Sequence, residues 1–143
     1  MSYFSLSNRT SNVTIANPCL EIISPATVRP KIMQISIVMA AATASVFGLG
    51  RPQAVGITPT SPVVLGPWDP ADPTTTFCST ALAWATPPTI PLAFFERVSL
   101  AAAVGAGIIW TFPDGLVIPA SSSMIIWNIS ATGVSDITVV VKI

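Results

Sequence analysis

The chain has no histidine, and its 143 residues carry only six basic and six acidic side chains. Without histidine, the common nucleophile–base–acid triads and the usual zinc sites cannot be assembled. Serines are plentiful, but none has a plausible base beside it in the sequence. There are two cysteines, Cys19 and Cys78. Their spacing fits no zinc pattern, and sequence alone does not decide whether they pair. Two buried thiols is the plainer reading. A glycine-rich phosphate loop is also missing, because Gly48-Leu49-Gly50 runs into Arg51-Pro52 rather than into a helix. The first residues have no basic stretch followed by an apolar one, so no secretory signal is expected and folding in a cytoplasm is. Catalytic residues, metal and cofactor are all expected to be absent.

The equal charge count removes electrostatic attraction to nucleic acid or to an anionic membrane surface. It also removes colloidal protection. Half the residues are apolar (51%). A domain of this size buries roughly 70% of its extended-chain surface. With so few charges, the remainder must include apolar patches, which usually mark contacts with partners. The expectation is an obligate oligomer or a component of a larger assembly.

A membrane reading rests on Ile32 to Gly50, nineteen residues free of charge between Lys31 and Arg51. That is nearly long enough to span a bilayer. Gln34, Ser36, Thr43, Ser45 and two glycines interrupt it, and charge-free runs recur throughout the chain. Val98 to Trp110 is apolar but too short.

What the chain has in abundance is short apolar runs rich in β-branched and aromatic residues, separated by turn signals. From Trp110 to Ile143 these signals fall at Pro113-Asp114-Gly115, at Pro119 to Ser123 and at Ser130 to Ser135. Three or four strands joined by tight turns are predicted here. In the last, Ile137, Val139, Val141 and Ile143 alternate with Thr138, Val140 and Lys142. Upstream, Lys31 to Ala40 alternates as a strand, with Met33, Ile35, Ile37 and Met39 on one face. A turn near Ala40 to Ala44 and a second strand ending at Gly48 to Pro52 would complete a hairpin.

Residues 1 to 27 read as an extended N-terminal arm with short strands, one beginning near Val13 and Ile15 and one at Cys19 to Ile23. Residues 52 to 75 hold Pro52, Pro59, Pro62, Pro67, Pro70 and Pro73 and read as a long loop, since proline removes ladder donors. Thr74 to Ala85 is a weak strand. Within Leu92 to Val104, Ala93 to Leu100 is another, with Phe94, Glu96, Val98 and Leu100 on one face. A loop at Ala101 to Ala106 follows, then a strand from Ile108. Many short strands without a long amphipathic helix give an all-β antiparallel sandwich.

Candidate functional residues follow from exposure arguments. Trp68 lies in the proline-rich loop, in W-D-P-A-D-P, and is the best candidate for contact with something else. Asp69 and Asp72 beside it could form a carboxylate pair or a weak calcium site, but aspartate before proline is ordinary turn chemistry. Tyr3, Phe4 and Arg9 on the arm join them as partner-contact candidates. Glu96 and Arg97 are adjacent, so on a strand they point to opposite faces. One of them could form a cross-subunit ion pair. Trp110 and Trp127 lie in strand patterns and suit core or subunit-interface packing.

Arg97 to Ser130 resembles the last third of small jelly-roll virion proteins of tailed bacteriophages. The likeness is carried by Trp110-Thr111-Phe112, Gly115-Leu116-Val117-Ile118-Pro119, the serine turn at Ser121 to Ser123, Trp127-Asn128 and the valine-rich last strand. The upstream Pro30 to Pro52 segment and the Asp69-to-Pro73 loop fit the same pattern. The resemblance covers residues 28 to 143, leaving the arm as the least matched part. It implies a jelly-roll domain that forms a homotrimer and acts as a capsid cement or decoration protein, binding the major capsid protein on the surface of a phage head. Residues 1 to 18 and the 52 to 75 loop are expected to make the shell contacts. A receptor-binding or tail-fibre domain of a phage is the alternative, with a small membrane protein behind it.

Overall fold

The computed structural model of the chain describes residues 2–10, 17–72, 78–130 and 133–143. Every regular element among them is a strand: β1 (Tyr3–Arg9), β2 (Pro18–Ile23), β3 (Lys31–Met39), β4 (Ser45–Pro52), β5 (Ile57–Pro59), β6 (Val63–Val64), β7 (Gly66–Pro67), β8 (Ser79–Ala81), β9 (Trp84–Thr86), β10 (Pro91–Leu100), β11 (Gly107–Val117), β12 (Ser123–Asn128) and β13 (Ser135–Lys142). One sheet has the order β11-β3-β13-β1-β7, a second the order β10-β4-β12-β2-β8-β6, and β5 pairs with β9 apart from both. All pairings are antiparallel. Residues from the two large sheets share one hydrophobic core, which includes Phe4, Ile35, Ile37 and Val139 from the first and Leu20, Phe47, Leu49 and Met124 from the second. The arrangement is sandwich-like. No helix among the described residues is long and apolar enough to cross a membrane, and Ile32 to Gly50 is divided between β3 and β4.

The alternation read in β13 is realised. Ile137, Val139 and Val141 are fully buried. In β3 the phase holds from Ile35 to Met39 and then slips. The register steps from Val140↔Gln34 to Val141↔Ile32, so Met33 is a bulge and Ile32 takes the inward position.

Four readings are corrected. Residues 3–9 are not an arm: β1 lies between β13 and β7, paired with β13 over its full length, because Phe4 alternates into the core. The strands β3 and β4 form no hairpin; they belong to opposite sheets, and the turn after Met39 crosses between layers. Pro113-Asp114-Gly115 is not a turn between strands but a bulge inside β11, where residues 112–115 stand against Met33 alone. Gly115 has φ +79, and a Cβ there would sit 2.7 Å from the Lys31 Cβ. A bulge also separates Phe94 from Glu96. Phe94 pairs with Gly50 and Glu96 with Leu49, so the two side chains take opposite faces. Val13 and Ile15 lie outside the described residues, as does part of the Thr74 to Ala85 strand.

The proline-rich segment is more ordered in purpose than a loop. It places β5 against β9, runs β6 along the edge of one large sheet, and two residues later runs β7 along the edge of the other. Leu65, between β6 and β7, is 2% exposed and its N–H donates to the Cys78 carbonyl at 3.1 Å. One side of the two-sheet stack is thereby closed. On the opposite side, β10 and β11 are long edge strands with no further strand beside them among the described residues.

Candidate interaction surface

Apolar side chains are exposed along the 52–72 excursion, at Val55, Ile57, Val63, Val64 and Trp68, and on the open side, which carries the most exposed one. On and beside β10, Leu92 is 88% exposed and Phe95 and Ile90 about half exposed. Arg51, Pro52, Gln53, Leu92, Ala93 and Phe95 line a depression of about 240 Å³. Two groups stiffen it. The Arg51 guanidinium lies 4.8 Å from the Phe95 ring centroid and donates to the Val117 carbonyl at 2.8 Å. The Gln53 amide donates to the Ile90 carbonyl at 3.0 Å. Round the corner, on β3, β11 and the loop before it, Val38, Val104 and Ile109 are exposed too.

Its backbone is protected against uncontrolled strand pairing. Pro91 has no N–H, and two register shifts interrupt β10. Glu96 shares the inward face with Leu49 yet is exposed, because the strand is at the edge. An inward-facing charge at an edge is a known guard against a further strand. Arg97 takes the other face, exposed, with its guanidinium 5.9 Å from the Phe94 ring centroid. Glu96 and Arg97 thus point to opposite faces, as adjacent residues on a strand do.

Of the two roles open to Trp110 and Trp127, packing within the chain and packing at a subunit interface, both take the first. Trp110 pairs with Ile35 and belongs to the core, 6% exposed. Trp127 pairs with Gly48 on the face turned away from that core, and is also 6% exposed. Neither is available to a partner. Burial of Trp127 reveals a second apolar layer on the outer face of the β4–β12–β2 sheet. A Cβ at Gly48 would stand 2.5 Å from Phe94 Cδ1 and 2.8 Å from Ile129 Cδ1, so both side chains rest directly on the glycine backbone.

Glu21 holds this outer layer, and sequence reasoning missed it. It lies in the apolar run Pro18–Ile23 and is fully buried. Its Oε1 accepts from the Trp84 indole at 2.8 Å, and its Oε2 from the Gly56 N–H at 3.0 Å and the Ser123 hydroxyl at 2.8 Å. No described cation pairs with it. The signal available in the sequence was a lone acid inside a strand of apolar residues.

The arm and loop candidates divide. Phe4 is 3% exposed and is removed from the list of contact residues. Arg9 forms a two-pronged ion pair with Asp136, at 2.8 and 3.0 Å. The hydrogen bonds hold the arginine above and the aspartate below their ordinary pKa, with charge attraction acting in the same direction. Tyr3 and Trp68 stack, 5.1 Å between centroids and 21° between planes. Asp69 closes a turn: its Oδ1 accepts from the Ala71 N–H and its carbonyl from the Asp72 N–H, both at 2.9 Å. No group of three or more metal-ligating side chains occurs among the described residues. Cys19 and Cys78 are free and buried. Burial pushes both thiols up, Cys78 to about 12.

Comparison of the chain with protein-family models, with curated proteins and with solved structures finds no match.

Proposed function

We propose that this chain is a virion structural protein, a jelly-roll capsid cement or decoration protein of a tailed bacteriophage that associates as a homotrimer and bridges capsid subunits. Two sets of observations support it. The first is connectivity. The eight long strands fall into the orders β11-β3-β13-β1 and β10-β4-β12-β2. Most successive strands alternate between sheets, as two interleaved Greek keys require, and jelly rolls recur in viral capsids and in lectins. Because such a fold hosts many roles, the role rests on the second, the uncapped β10 side.

Leu92 and its neighbours are the observation that carries the proposal. A leucine 88% exposed on an edge strand, beside Phe95 and above a stiffened depression, is costly in water. Burying Leu92 and Phe95 against another subunit would return about 1.5–3 kcal/mol each. In a chain of zero net charge nothing repels a second copy. The bulges and Glu96 steer association towards side-chain packing and away from endless strand addition. In the trimer, shell contacts fall to Trp68 and the 52–72 excursion, since β1 is part of the sheet. Tyr3 to Arg9 are no longer a separable binding arm.

Native mass measurement of the purified protein tests the assembly. A trimer is expected, and Leu92→Asp with Phe95→Asp should give a monomer with an unchanged far-ultraviolet spectrum. A wild-type monomer at high concentration sinks the proposal. Shell binding is tested by pelleting the trimer with phage heads stripped of their accessory proteins; a trimer that stays in the supernatant refutes the cement role alone.

A further inference from the structure

We infer that Trp68 is the platform of a binding site for a neutral hexopyranose. The inference does not depend on the trimer just proposed, and it gives the Trp68 face a sugar in place of the shell contact. It starts from a mismatch between exposure and restraint. Trp68 is 59% exposed, yet four contacts fix it. It follows directly on β7, which is paired to β1. Its backbone N–H donates to the Tyr3 carbonyl at 2.9 Å. Its indole N–H donates to Ser5 Oγ at 2.9 Å, and its ring stacks on Tyr3. An apolar side chain of this size gains by being covered. Here the surrounding chain instead holds the ring in the open, in one orientation.

The geometry says which part of the ring is free. Tyr3 pairs with Lys142, and the Lys142 ammonium lies 5.5 Å from the Tyr3 ring centroid. In the order β13-β1-β7, the ammonium, the phenol ring and the indole therefore form a row, with the indole outermost. One indole face is covered by Tyr3, and the indole N–H is already spent. What remains is the other π face, at the closed side of the stack and away from β10.

The ligand chemistry follows from that face and its rim. The free face suits a ring that presents several aligned C–H groups, as a hexopyranose does on one side. Asp69 and Asp72 follow Trp68 in the same turn. Asp69 uses Oδ1 for the Ala71 N–H; among the described residues, its Oδ2 and the Asp72 carboxylate carry no hydrogen bond. Carboxylates accept from vicinal hydroxyls, which a pyranose carries around its edge. Two acids disfavour an anionic sugar or a nucleotide. A quaternary ammonium would also suit an indole beside carboxylates, but such ions are held in cages of several aromatic walls, and here a single face is open.

Saturation-transfer NMR on the full chain, with methyl β-galactopyranoside, methyl β-glucopyranoside and N-acetylglucosamine at millimolar concentration, tests the site. Transfer to the ring protons of at least one is expected. Trp68→Phe should weaken it by roughly ten-fold, the scale of one aromatic contact, and Trp68→Ala should abolish it, with oligomeric state and circular dichroism unchanged. Should Trp68→Ala fail to fold, Asp69→Asn supplies the second variant and should weaken binding while the native spectrum remains. No transfer to any of the three sugars overturns the inference. So does transfer that survives Trp68→Ala, or binding of tetramethylammonium in preference to every sugar.

Discussion

Removing the Glu21 carboxylate should loosen the outer layer of the protein before it loosens the core. The side chain is fully buried and is the acceptor for three donors from three separate segments: Gly56, Trp84 and Ser123. In Glu21→Ala all three donors lose their partner. Gly56 and Trp84 are only half-buried, so water can reach part of what is vacated, whereas Ser123 is fully enclosed. Relief from burying a charge offsets some of the loss. A net destabilisation of about 2–4 kcal/mol follows from one to two poorly satisfied donors. Glu21→Gln is more selective. Its amide oxygen can replace Oε2 and keep Gly56 and Ser123, but its NH2 group then faces the Trp84 N–H across 2.8 Å, donor against donor. That variant should lose about 1–2 kcal/mol. The order wild type, Gln, Ala can be read by urea unfolding followed by tryptophan fluorescence. Amide exchange adds the location. Protection should fall first at residues 56 and 84–86, while Ile137 to Val141 keep theirs. Glu21→Ala within about 0.5 kcal/mol of wild type, or exchange that rises equally everywhere, would refute the pin.

Gly48→Ala should cost about 1–3 kcal/mol, the range for forcing a methyl into packed side chains, because its Cβ would press on Phe94 and Ile129; thermal melting checks it, and an unchanged melting temperature would mean that these side chains swing aside freely. Neither cysteine should react with a thiol reagent at neutral pH until the protein unfolds, since both thiols are buried and held in the protonated form. A thiol whose folded pKa is raised stabilises the fold fully below its ordinary value of 9.0 and loses that contribution as pH rises towards about 12. Cys78→Ala should therefore flatten the fall in stability above pH 9.0, and an unchanged slope in alkaline urea titrations would contradict the assignment.

How much of this was legible in the sequence depends on what each signal encodes. Period-two alternation reports which residues share a face. It located β3, β4, β10, β11, β12 and β13, and it identified the buried face of β13. It does not report which strand lies alongside. Ala40 to Ala44 looked like a hairpin turn because a crossing between two stacked sheets can be as short as a hairpin, and Ile37 and Phe47 reach the same core from opposite sides. Pro-Asp-Gly misled for a related reason: the residues that favour a reversal also favour a bulge on an edge strand. A bulge then shifts every later face assignment by one, which is how Phe94 and Glu96 were placed together. Polar composition suggests an arm at the N-terminus, yet a strand with Ser5, Ser7 and Arg9 on its outer face needs only Phe4 and Leu6 on the inner one to join a sheet. Glu21 was invisible because a single acid among apolar neighbours gives no hint of three donors arriving from far along the chain.

The scarcity of charge, which first suggested assembly, gains force from where the charges go. Glu21 is consumed inside the protein, Arg9 and Asp136 neutralise one another, and Arg51 is laid over Phe95 with a backbone carbonyl at its tip. Arg97 and Lys142 each lie over an aromatic ring. With Asp69 bonded to the Ala71 N–H, more than half of the described acids and bases are engaged in contacts within the chain, so even fewer than twelve are left to hydrate the surface. Exposed apolar side chains lie on both sides of the stack, Val55, Ile57, Val63, Val64 and Trp68 along the 52–72 excursion and a tighter group on β10. Leu92, Phe95 and Ile90 gather at the side that no strand caps, whereas the opposite side is closed by the β6–β7 excursion around Leu65. The group on β10, guarded by Glu96 and by bulges that forbid simple strand addition, is what a surface shaped for one specific partner requires.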